Sequence, residues 1–76
     1  MKETIIKVIK DALEVSELSV SGSDAKYEIE ITSNVFDGKS VIDRHKIVYN
    51  LLNEYIKTGE IHALTIKAKT ASESEK

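Results

Sequence analysis

Two histidines, His45 and His62, and the chain's single arginine, Arg44, all lie in the stretch from Phe36 to Thr70. They are the side chains best suited to chemistry in these 76 residues. A neutral imidazole ligates iron or copper well but cannot hold a metal alone, so a ligand role for either histidine requires a partner that brings further donors. His62 sits where a helix gives way to a strand, in Ile61-His62-Ala63. There it is either a structural imidazole hydrogen-bonded to the neighbouring turn or a ligand. His45 stands between Arg44 and Lys46, three residues before Val48. It is either a partly buried ring reaching from core to solvent or a contact for an acidic group, a phosphate or a metal cluster. Lys39, Arg44 and Lys46 form a basic cluster that is either a solvated face or a contact for nucleic acid or an acidic partner. One arginine without interleaved aromatics argues against sequence-specific base reading.

Enzyme signatures are missing. The chain has no serine in a nucleophile elbow, no glycine-rich phosphate loop before a helix and no HExxH pair, and we expect no catalytic activity. With no cysteine, it cannot form a disulfide or a thiolate metal site on its own. The formal net charge of −2, from 11 basic and 13 acidic residues, gives no general attraction to phosphate backbones. No apolar run approaches the roughly 20 residues that span a bilayer, and MKETIIKVIKDAL is charged throughout, so a soluble, cytoplasmic protein is expected.

Hydrophobic residues at 41%, led by Ile, Val and Leu, suffice for one thin core. Ile5, Ile6, Ile9, Ala12 and Leu13 share a face and predict a first helix from Lys2 to Leu13, with Thr4 as a possible N-cap. Leu18 and Val20 alternate with serines as in a strand, and Ser21-Gly22-Ser23-Asp24 supplies turn chemistry. Tyr27, Ile29 and Ile31 then alternate with Glu28, Glu30 and Thr32, which predicts an antiparallel hairpin with one solvated face. Val35 and Phe36 are expected to anchor the connection. Ser40 is placed to cap a second helix running to about Lys57, whose apolar stripe is Val41, Val48, Leu51, Leu52, Tyr55 and Ile56. Gly59 can end it in the left-handed region. A last strand from Ile61 to Lys69 puts His62, Leu64, Ile66 and Ala68 on its core side. The strand-helix-strand passage favours a parallel return, so the expectation is α+β: three strands in a mixed sheet, with helices on one face. Residues 1–70 form a single domain in this scheme, and 71–76 a disordered tail.

Three motifs in register resemble the BolA-like family: Phe36-Asp37-Gly38-Lys39-Ser40 its F-x-G-K/R turn, Arg44-His45-Lys46-Ile47-Val48-Tyr49 its R-H-R/K-x-V-Y helix segment, and Ile61-His62-Ala63-Leu64 its I/V-H-A-L strand entry. The resemblance covers the chain nearly to Thr70. It implies an αββαβ core related to the type II KH architecture. It also implies a monothiol glutaredoxin, with glutathione, as partner, and a 2Fe-2S cluster held only jointly, in iron-sulfur maturation or iron signalling. His62 matches the family's recurrent ligand. Many relatives carry a second His or Cys in the hairpin loop, where this chain offers only Asp24, and His45 is the other conceivable second donor. The family also includes DNA-binding stress regulators. That alternative would use Lys39, Arg44, His45 and Lys46, although Gly38 lacks the second glycine of a KH-type GxxG loop. The isolated chain is expected to be a monomer ending before the third helix of many relatives.

Overall fold

The structure, a computed structural model, describes residues 1–74. Helix α1 (Lys2–Ala12) turns its four-residue spacing into burial, with Ile5 and Ile9 fully inside. Thr4 does not cap it: the N-cap is Met1, with no side-chain hydrogen bond, because the helix starts before Thr4. At the other end Leu13 is extended and stops the helix.

Strands β1 (Glu17–Ser23) and β2 (Lys26–Thr32) pair antiparallel, with Leu18 opposite Ile31 and Val20 opposite Ile29. Ser21-Gly22-Ser23 stays in β1 instead of turning. The reversal is made by Asp24 and Ala25 alone, both left-handed (φ 54° and 65°), since a two-residue turn of that hand matches the twist of the paired strands. Gly22 is required for a different reason. It has φ 116°, and a Cβ there would lie 2.1 Å from the Lys26 carbonyl oxygen.

A short 3₁₀ turn (Asn34–Phe36) follows, in which Phe36 is fully buried as expected while Val35 faces outward at the surface. Helix α2 (Val41–Leu51) begins at Ser40, whose Oγ accepts from the Asp43 N–H at 3.1 Å. The helix does not continue to Lys57. At Leu52 the backbone leaves helical values (φ −106°, ψ 8°), and its N–H bonds back only three residues, to Tyr49. That tightening seats Leu52 fully in the core and starts a separate helix α3 (Asn53–Thr58), which Gly59 closes at φ 85°. Val41 drops out of the expected apolar stripe and stands 66% exposed.

Strand β3 (Ala63–Lys69) runs parallel to β2, with Ile29 opposite Ile66 and Ile31 opposite Ala68, in a sheet ordered β1-β2-β3. The parity expected for Leu64, Ile66 and Ala68 holds. It fails for Ile61 and His62, because both precede the ladder: Ile61 is buried and His62 exposed. One sheet face carries Leu18, Val20, Ile29, Ile31 and Ile66 against the helices. The open face is polar, and there Lys67 Nζ lies 3.1 Å from Glu28 and 3.8 Å from Glu30. The fold is therefore α+β with a three-stranded mixed sheet.

After Thr70 the chain does not fray at once. Ala71–Ser74 forms a helical turn, α4, held by a reciprocal cap: the Glu73 N–H donates to Thr70 Oγ1 (3.2 Å), and the Thr70 N–H donates to Glu73 Oε1 (2.8 Å). Residues 75 and 76 of the expected tail lie outside the described residues.

Candidate functional site

His62 is presented by the backbone on both sides of it. Ile61, 1% exposed, plugs the core, and its N–H bonds to the Tyr55 carbonyl at 3.0 Å. The N–H groups of His62 and Ala63 both donate to the Ala25 carbonyl, at 2.7 and 3.1 Å. The hairpin turn thus fixes where the histidine stands, while its exposed ring makes no side-chain hydrogen bond among the described residues. Anchored main chain and uncommitted imidazole is an arrangement that can offer a nitrogen to an outside group at little cost in ordering.

Of the second-donor candidates, Asp24 is on the right end of the molecule. It is exposed and directly precedes the Ala25 that bonds to His62. His45 is not. It lines a recess of about 210 Å³ between α2 and the far half of β3, formed with Val41, Arg44, Ile66 and Lys69. The strand advances about 16 Å over the five residues from His62 to Lys67, so the two imidazoles cannot share one ligand set. Among the described residues no group of three or more His, Cys, Asp or Glu side chains could hold a metal ion. The residues present fit one ligand of a jointly held cluster, and do not fit a resident one.

The basic cluster divides. Lys39 and Lys46 are exposed, but Arg44 is buried and fully engaged. Its Nε donates to the Lys39 carbonyl (2.9 Å), its Nη1 to the Ala68 carbonyl (3.1 Å), and Nη1 and Nη2 grip the Glu73 carboxylate at 2.7 and 3.0 Å. Arg44 is a clamp joining the turn before α2, the end of β3 and α4, which removes it from the set of surface contacts. The bidentate Arg44 guanidinium, followed by the Thr70 N–H, holds the Glu73 carboxyl down at about 2, and Glu73 in turn raises Arg44. The sequence reading missed Glu73. Its signal was present as Thr70-Ala71-Ser72-Glu73, the spacing of a capping box.

Known proteins share this small α+β domain, which here has a clamped strand end and a histidine at the opposite end. The model of the BolA-like protein family matches residues 1–73. The chain belongs to the BolA-like family. It is 38% identical over 69 residues to the acid stress protein IbaG of Escherichia coli strain K12, covering 91% of this chain and 82% of that one. Among solved structures it is similar to the BolA domain of SufE1 from Arabidopsis thaliana (TM-score 0.88, 32% identity, 95% of this chain and 93% of that one). It is equally similar to BolA1 from the same plant (TM-score 0.87, 32% identity, 95% and 93%). No helix among the described residues is long and apolar enough to cross a membrane.

Proposed function

We propose that this protein is a non-enzymatic adaptor that binds a monothiol glutaredoxin and contributes His62 as its one ligand to a 2Fe-2S cluster shared between the two. The observation that carries this is the exposure of the His62 ring at the position where the family's strand-entry motif places its ligand, on a backbone secured by Ile61 and Ala25. The thiol ligands must come from the partner and its glutathione, since this chain has no cysteine. An imidazole in place of a thiolate on one iron alters cluster charge and potential, which suits transfer or signalling. A BolA domain within a protein named SufE1 is consistent with that setting.

The test is to mix the chain with a monothiol glutaredoxin, glutathione, iron and sulfide. The heterocomplex should show visible circular dichroism distinct from that of the glutaredoxin homodimer. His62→Ala should abolish that difference while Asp24→Ala changes it less, because carboxylate is the poorer soft-metal donor. A spectrum indifferent to His62→Ala removes the assignment. The competing role, a DNA-binding stress regulator, loses Arg44 to the clamp and rests on Lys39, Lys46 and the partly exposed His45. It would require binding that falls steeply with salt and with both lysines replaced.

A further inference from the structure

Strand β1 ends the sheet on the side away from β3, and among the described residues no other strand lies beyond it. Which of its backbone groups are free follows from the two ladders. The Ala63 N–H donates to the Ala25 carbonyl and the Ser33 N–H to the Lys69 carbonyl, so the odd residues of β2 face β3 and the even ones face β1. Those even residues pair with Glu17, Ser19, Ser21 and Ser23. The N–H and C=O groups of Leu18, Val20 and Gly22 therefore point outward, and none of them has a partner among the described residues.

The opposite edge of the sheet is treated differently. On β3 the Tyr49 hydroxyl and the Arg44 guanidinium of α2 meet the outer carbonyls of Leu64 and Ala68, and Lys67 and Lys69 add charge. Covering and charging an edge in this way keeps other strands off it. β1 has neither device: it carries no lysine and no proline, and its one charged residue, Glu17, stands at its first position. Ser19, Ser21, Gly22 and Ser23 are exposed, and Leu18 and Val20 are only half-buried although they belong to the helix-side face. An unguarded edge of this kind is a template for another strand.

We propose that this edge joins two copies of the chain, β1 against β1, antiparallel about a two-fold axis at Val20. A second copy is the occupant because the pattern of open groups is its own complement. Each Val20 exchanges both of its hydrogen bonds with its counterpart, and Leu18 of one copy exchanges both with Gly22 of the other. No open group is left over, whereas any shift of register strands some of them. On the polar face Ser19 meets Ser21, a pair of hydroxyls able to bond each other, and Glu17 meets Ser23. No like charges oppose each other, while a parallel in-register pairing would set Glu17 on Glu17. On the helix face Leu18 lies over the bare backbone of Gly22, beside Tyr27, the residue paired with Gly22 on β2. The result is one sheet running through both copies, with the two β3 strands outermost. The two His62 sites then stand at its outer margins, about 24 Å apart across the strands, and each stays accessible to a partner.

Sedimentation of the full chain across micromolar to millimolar concentration should show a reversible monomer–dimer equilibrium. Ser19→Lys combined with Ser21→Lys should weaken it at least tenfold, because the lysines then face each other across the axis. Within one copy they stand opposite Glu30 and Glu28, so the fold and its circular dichroism spectrum should be kept. Full-length chain synthesised with an N-methylated Val20 amide, which removes an outward donor without altering a side chain, should be monomeric. Because the chain has no cysteine, Ser19→Cys mixed with Ser21→Cys should form an intermolecular disulfide under mild oxidation, these positions being a non-hydrogen-bonded pair on one face. Thr65→Cys mixed with Lys67→Cys, on the guarded edge, should not. His62→Ala should leave the dimer intact, so loss of the cluster ligand is separable from loss of this contact. A monomer at millimolar concentration overturns the proposal, as does a dimer indifferent to the two lysines or to the N-methyl group, or a 19–21 pair that does not cross-link.

Discussion

The two ends of β3 are built on opposite terms. At its C-terminal end polar side chains are knitted to the fold: Arg44 bonds two carbonyls and a carboxylate, and Thr70 and Glu73 cap one another. At its N-terminal end the backbone is tied to Ala25 and Tyr55, but the one side chain with ligand chemistry is left free. The residue that looked most like a contact, Arg44, stabilises the fold. The His62 ring, by contrast, is a side chain on which the fold makes no demand. Charge and type alone do not separate these roles; what a side chain already touches does.

Breaking each end should therefore have different consequences. Ile61→Ala should be the most damaging substitution at the His62 end, costing about 2–5 kcal/mol in denaturant unfolding, because it opens a cavity behind an otherwise well-packed anchor. At the clamp, Arg44→Ala should lower the melting temperature clearly, and Arg44→Lys should not restore it, since an ammonium cannot grip Glu73 with two nitrogens while bonding two carbonyls. Hydrogen exchange should then quicken at Thr70 and Glu73 before the strand itself.

The same clamp sets an acid response. Glu73 titrates at about 2 in the fold, below the ordinary carboxylate range, so the unfolded chain binds its proton first as pH falls. Its contribution should be complete above about pH 5 and disappear progressively toward pH 2. Glu73→Gln should flatten that part of a stability–pH curve, and a curve unchanged by the substitution would show that the pair does not hold in solution.

Two smaller effects sharpen the contrast. Ala25 sits at φ 65°, where an L side chain is strained, so Ala25→Gly should stabilise by about 0.5–1 kcal/mol. His62→Ala should leave stability within about 0.5 kcal/mol, as expected for an exposed ring without partners, while removing the heterocomplex spectrum. A large loss of stability there would contradict the view of His62 as a side chain free to act.

Much of this was legible in the residues. The alternation of Tyr27, Ile29 and Ile31, the Ser40 cap and the left-handed Gly59 each express local physics, and each stands where its pattern put it. The hairpin turn was misplaced by two residues. Serine and glycine are good turn formers, but ladder pairing carried them into the strand and left the reversal to Asp24 and Ala25. The break at Leu52 left no mark in the helical periodicity, because it follows from where the core needs a side chain.

By itself, the order of residues determined the order and kind of the main elements, the family and the histidine at the strand entry, because those follow from periodicity, caps and motifs a few residues long. Only the tertiary structure decided that Arg44 is spent on Glu73, 29 positions away, that His45 and His62 stand at opposite ends of a strand, and that Tyr49 and Arg44 of α2 reach the outer carbonyls of β3. Those outcomes depend on which distant groups the packed chain brings within hydrogen-bond reach, and spacing along the chain does not carry that information.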